Sequence, residues 1–211
     1  MNSPKIVPLP SYPGLVIKYI PENNPFFEII VLEALGRIKS LNSGRKLLDD
    51  ISKTNPEEDG VSDIEWPSDY GCKVLIVPTS ERTFLQDGYR RVFGNLVPVP
   101  ASGNRPFNPT PLSGSCNCAK NQVLASNGRG SIATVSFNNT IMKTSGGETA
   151  YPFVVLAHEL IHALHALSGN KKDGNDEELW TTGIGVYSDE KLSENAIRKD
   201  ANLPLRTVYY T

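Results

Sequence analysis

The strongest periodic signal lies over 151–167, where Phe153, Val154, Val155, Leu156, Leu160, Ile161, Leu164 and Leu167 follow helical spacing. Pro152 suits a first turn and Gly169 a stop, so the pattern predicts a helix buried in the core. A second helical pattern runs over 26–38 through Phe26, Ile29, Ile30, Leu32, Leu35 and Ile38, with Asn24 as the expected cap. Shorter helices are expected over 46–52 and over 189–201, the latter ended by Pro204. Strands are expected over 15–20, broken by the 21–25 turn, and over 72–78, centred on Val74, Leu75, Ile76 and Val77. The 131–138 stretch alternates Ile132, Thr134 and Ser136 against Ala133, Val135 and Phe137, which reads as a half-buried strand at a sheet edge. The polar 53–63 stretch reads as loop, and 97–130, rich in Pro, Gly, Ser and Asn, as a long irregular segment. No internal repeat is visible. The elements sum to an α+β fold with a small sheet, in one domain over 15–211 behind a flexible segment 1–14.

Composition narrows the function classes. The 21 basic and 23 acidic residues leave a net charge of −2, without the basic footprint that nucleic acid requires. There is no polybasic patch for a membrane surface, and no apolar run approaches the ~18 residues of a span. Cys72, Cys116 and Cys118 are too few and odd in number for a disulfide framework and read as free thiols. The N-terminus, with Pro4, Pro8, Pro10 and Pro13 and no apolar stretch, is not a Sec signal peptide. It suits either a cytoplasmic protein or one exported through an uncleaved, flexible address. The expected state is a soluble monomer.

All three histidines lie on the predicted helix. His158-Glu159-Leu160-Ile161-His162 is a His-Glu-x-x-His match, of which shuffling this composition yields about 0.003. Residues four apart stand one above the other on a helix face, so two imidazoles converge on one ion. Glu159 is rotated about 100° from His158, beside the ion and able to take a proton from the attacking water. His165 lies about 10.5 Å of rise from His158, too far to share the ion, and reads as a packing or orienting histidine. A zinc site then lacks one protein ligand, and Asp173, Asp176, Glu177, Glu178, Glu190 and Glu194 follow downstream. Glu178 opens a stretch with Leu179, Trp180 and Ile184 and is favoured over Glu177 and Glu194. The others sit among polar residues and read as solvated charges.

These segments resemble known proteins. His158 to Gly169 resembles the zinc helix of clostridial neurotoxin light chains, and Glu177-Glu178-Leu179-Trp180-Thr181-Thr182-Gly183 resembles their third-ligand segment, whose second glutamate binds zinc. The gap between the two segments is much shorter here. The closer resemblance is to NleD-type effector zinc peptidases of bacterial type III secretion, through Ser193-Glu194-Asn195-Ala196-Ile197-Arg198, the Arg206-x-x-Tyr209 tail and Ser43-Gly44-x-Lys46-Leu47-Leu48. The resemblance implies a zincin-like endopeptidase with Zn²⁺ on His158, His162 and Glu178, and Glu159 as the base. It also implies Arg206 and Tyr209, rather than Tyr210, as supports for the oxyanion of peptide hydrolysis, with Asp200 or Glu194 neutralising Arg206. Relatives cleave stress-activated MAP kinases, which implies a host protein substrate of that kind, met in the host cytoplasm. Two other readings remain: a binding protein that uses zinc as a staple, which has no need of Glu159, and a general secreted metalloprotease. In zincin-like sites an extended substrate commonly pairs with an edge strand, a role expected here of 131–138.

Overall fold

The computed structural model describes residues 3–57, 66–79, 89–92, 95–98, 114–139, 141–144 and 146–209. Strands β1 (Lys5–Pro8), β2 (Leu15–Tyr19), β3 (Val74–Pro78), β6 (Gly114–Ala119) and β7 (Ala133–Phe137) form one sheet in the order β1-β2-β3-β7-β6. β2, β3 and β7 run parallel, with Leu15 opposite Val74 and Val74 opposite Ala133, and the outer strands are antiparallel. Two hairpins, β4 (Tyr89–Val92) with β5 (Asn95–Pro98) and β8 (Met142–Lys143) with β9 (Thr149–Ala150), stand apart from it. The helices are α1 (Phe27–Lys39), α2 (Asn42–Lys53), α3 (Gln122–Ser126), α4 (Pro152–Leu167), α5 (Gly174–Thr182) and α6 (Glu194–Asp200). The fold is α+β, as the hydrophobic pattern predicts.

One face of the parallel strands is apolar throughout, and the other carries Val16, Leu75 and Ile132 beside the polar Lys18, Thr134 and Ser136. Ile17, Val74, Ile76, Val135 and Phe137 join α1, α2 and α4 in the main core, while Val16, Leu75 and Ile132 pack with Trp66 and Cys72 in a second cluster. Cys72 is a buried free thiol whose pKa burial pushes up to about 12, so it is inert packing. The side chains of Cys116 and Cys118 lie outside the described residues.

Several expectations are corrected. β7 is not an edge: β6 lies between it and solvent, so its main chain is already paired and the substrate-pairing role expected of it falls. Within 97–130, β6 and α3 are regular, α3 being capped by Asn121, whose side chain accepts from the amides of Val123 and Leu124. Val97 and Pro98 end β5, while 99–113 lie outside the described residues, as does 58–63 of the expected 53–63 loop. Residues 5–8, inside the segment expected to be flexible, form β1 against β2, with Lys5 bonded to Glu28 at 2.6 Å. α1 begins after Phe26, and Asn24 contributes only its carbonyl, to the Phe27 amide. Its apolar pattern serves two faces, since Phe27, Val31, Leu35 and Ile38 are buried while Phe26, Ile29 and Leu32 are exposed. α6 starts at Glu194, later than the predicted 189, because the Ser193 hydroxyl accepts from the Ala196 amide and caps it there.

Two close approaches hold α4. Its Ala166 carbonyl accepts from Ser131, and Gly130 (φ +82°) lies against Leu167, where an added Cβ would stand 2.0 Å from the carbonyl oxygen. The first turn of α2 is tied to α6 by Asp200, whose Oδ2 accepts from both the amide and the hydroxyl of Ser43 at 2.7 Å.

Gly130→Ala is expected to destabilise by roughly 1–3 kcal/mol, since it adds both a clash and a left-handed backbone. Gly36→Ala in α1, where a Cβ meets nothing within 4 Å, is expected to stabilise by about 0.5–1 kcal/mol. Urea denaturation of both variants measures the contrast. The Ser43 bonds hold the Asp200 carboxyl below its ordinary value of 3.8. This stabilisation is present above 3.8 and is lost as pH falls through the lower folded value. Asp200→Asn is therefore expected to cost about 0.5–1 kcal/mol at pH 7, discounted for exposure, with the difference vanishing in strong acid.

Candidate metal centre

α4 presents His158 and His162 on one face, with their ring centroids 4.7 Å apart. α5 packs beside it and supplies two adjacent glutamates. Glu178 Oε2 lies 3.3 Å from Nε2 of both histidines, and the two Nε2 atoms are 3.1 Å apart. Ligands about 2.0–2.1 Å from a tetrahedral zinc stand about 3.3–3.4 Å from one another. The triangle of His158, His162 and Glu178 therefore fits one such ion, and its donors, two imidazoles and a carboxylate, are of the right chemistry.

The outer nitrogens explain why the inner ones point inward. His158 Nδ1 lies 2.9 Å from Glu194 Oε2, and His162 Nδ1 lies 2.8 Å from Glu177 Oε1. An ionised carboxylate can only accept, so Nδ1 carries a proton in each ring, and Nε2 is the nitrogen that faces the site and gives its lone pair to a cation once its own proton leaves. Thr181 Oγ1 adds a contact to His162 Nδ1 at 3.1 Å, and the Lys172 amide donates to Glu177 Oε2 at 2.9 Å. Glu177 and Glu194 are each 3% exposed. Both were expected to be solvated charges. The polarity of their neighbours misled, because their partners are distant in sequence.

The electrostatics favour positive charge at the centre. Burial works against a charged His158, but the hydrogen bonds its ring donates to the Glu178 and Glu194 carboxylates outweigh it and hold the pKa up to about 10. His162 is raised by Glu177 and Glu178 against the same opposition. Burial likewise opposes ionisation of Glu194, yet His158, Arg206 and Arg198 bring it down to about 2. Glu177 and Glu178 are held well below the ordinary carboxylate range by the imidazoles, again against burial. Buried carboxylates that stay ionised around two imidazoles make a cation site.

Glu159 is buried beside His158, and its charge acts on both His158 and Tyr209. His165 is not part of the triangle. Its Nδ1 lies 2.8 Å from Glu177 Oε1, and its ring stacks on Trp180 at 3.6 Å and 5°. His165 thus shares the carboxylate that orients His162, in line with an orienting role. Tyr209 lies parallel to His158, centroids 6.4 Å apart and 2° between planes, with the Arg206 guanidinium 4.7 Å from its ring. Burial and the Glu178 carboxylate push its phenol above the ordinary range, so it remains a hydrogen-bond donor. Arg206 donates to Glu194 at 2.9 Å, which makes Glu194 its neutralising partner, while Asp200 is engaged with Ser43. Tyr210 lies outside the described residues.

The fold is similar to the crystal structure of a botulinum neurotoxin type D light chain, with TM-score 0.53 and 14% identity over 95% of this chain and 64% of that one. The catalytic domain of Clostridium botulinum neurotoxin serotype F aligns with TM-score 0.46 and 18% identity, over 82% of this chain and 45% of that one. The chain therefore spans less than two thirds of either. No curated protein matches the sequence. The Peptidase M91 family, described as effector protein, matches residues 18–209. With nearly the whole chain matched, from β2 to Tyr209 at the centre, the protein belongs to the Peptidase M91 family of effector proteins.

Proposed function

We propose that the protein is a zinc-dependent endopeptidase that acts as an effector on a host protein, with His158, His162 and Glu178 holding the metal. The observation that carries this reading is the 3.1–3.3 Å triangle of Nε2, Nε2 and Oε2 atoms, flanked by buried Glu159. A zinc ion bound there supplies Lewis acidity, polarising the scissile carbonyl and lowering the pKa of water. Glu159 accepts the proton of the attacking water and passes it to the departing amine. The Tyr209 hydroxyl donates to the oxyanion, and Arg206, lying against the Tyr209 ring and bound to Glu194, holds that tyrosine in place. A zinc-stapled binding protein needs no such base beside the ion.

Delivery by type III secretion, a site of action in the host cytoplasm and a kinase substrate extend the reading. They rest on the resemblance to NleD-type peptidases and on the effector description of the family. Among the described residues no helix is long and apolar enough to cross a membrane. Host lysate treated with the wild type and with Glu159→Gln, followed by N-terminal sequencing of new fragments, identifies the substrate. Fragments that appear equally with both proteins contradict the proposal.

Purified wild type is expected to carry one zinc, lost in His158→Ala, His162→Ala and Glu178→Ala, while Glu159→Gln keeps the metal and loses turnover. Full occupancy in Glu178→Ala moves the third ligand elsewhere. Tyr209→Phe is expected to lower kcat by about 10²-fold with KM and zinc content nearly unchanged. A variant that loses stability instead of rate makes the tyrosine a packing residue.

A further inference from the structure

Glu194 is gripped from two sides. Its Oε2 accepts from His158 Nδ1 and from Arg206, both at 2.9 Å, and its Oε1 accepts from Arg198 Nε at 2.6 Å. Both oxygens are engaged, so the carboxylate cannot rotate without breaking a charged hydrogen bond.

Among the described residues Arg198 is the largest fully buried side chain, at 0% exposure. Its Nη1 donates to the carbonyls of Thr149 at 3.1 Å and Pro204 at 3.3 Å, whereas Nη2 finds no partner among the described residues. A buried guanidinium with an unmade donor stabilises poorly, and replacing a buried ion pair as a whole by apolar side chains is often neutral or stabilising. Stability alone does not account for an arginine here. Its contacts do: one side chain joins α6, the strand β9 that leads into α4, and the tail that carries Arg206 and Tyr209. Lysine cannot reproduce this, because a single ammonium lacks the planar fork that reaches a carboxylate and two carbonyls together.

We propose that Arg198 is a positioning residue of the peptidase site, fixing the His158 imidazole through Glu194 and the Tyr209 tail through the Pro204 carbonyl. The proposal rests on the reading of the centre as a metal site. Sequence alone shows Arg198 only as an i,i+4 partner of Glu194, which is ordinarily a surface pair of small effect.

The test is a double-mutant cycle read with zinc alone, by competition against a chromogenic chelator, with Tm measured in parallel. Arg198→Lys and Glu194→Gln are each expected to weaken zinc binding by about 10–100-fold. The double variant is expected to be no more than about threefold weaker than the worse single one, because both remove the same constraint. Losses that multiply, or an Arg198→Lys protein that binds zinc like the wild type and only melts earlier, overturn the proposal. Arg198→Met separates folding from positioning: it is expected to fold, with a Tm lowered by several degrees because Glu194 Oε1 loses its partner, and to bind zinc weakly. If Arg198→Met does not fold, the arginine serves the fold and the proposal also fails. Absence of zinc binding by the wild type refutes the metal-site reading instead.

Discussion

Two imidazoles must offer Nε2 to the same point, and an imidazole does so only if something holds its Nδ1–H. The structure depends on meeting this condition twice inside the core. Each Nδ1 is met by an ionised carboxylate that is itself buried, Glu194 for His158 and Glu177 for His162. Those carboxylates need partners of their own, and the fold supplies them: Arg198 and Arg206 for Glu194, and His165, Thr181 and the Lys172 amide for Glu177. A buried charge without such partners would neutralise instead of orienting a ring. Removing one member leaves the next unpaired, so the network is expected to fail as a unit.

This demand explains much of the architecture. The apolar helix α4 is wedged among α1, α2 and the sheet, and its C-terminal turn is fixed by the close approach of Gly130. α5 follows within a few residues and lays Glu177 and Glu178 along α4, one for the outer nitrogen of His162 and one for the inner face of the site. α6 adds Glu194 at the outer nitrogen of His158, and Asp200 at its far end ties it to α2. Three helices from the last third of the chain thus meet at one point, with the mixed sheet packed against the first of them.

How much of this the sequence reveals depends on how local each contact is. His158, Glu159 and His162 are legible because a helix fixes their relation within one turn, and α4 itself is bounded by Pro152 and Gly169 much as its pattern predicts. Glu178 is legible in part, from the apolar residues that follow it. Glu177 and Glu194 are not, since burial comes from partners 15 and 36 residues away and polar neighbours point the other way. The edge position expected of β7 fails for a similar reason: alternation describes one strand's faces and says nothing of the strand that pairs beside it. On α1 the apolar period is real but serves two faces, and periodicity alone does not say which one is covered.

The second group of adjacent donors, His162, His165 and Glu177, sharpens the central claim. Here the shared carboxylate oxygen lies 2.8 Å from both Nδ1 atoms, the spacing of hydrogen bonds that orient the rings. Crystals grown with zinc and measured on either side of its absorption edge discriminate between the two groups directly. The account predicts one anomalous peak, about 2.0–2.1 Å from Nε2 of His158, Nε2 of His162 and a Glu178 oxygen. A peak on the Nδ1 side, among His162, His165 and Glu177, would contradict it.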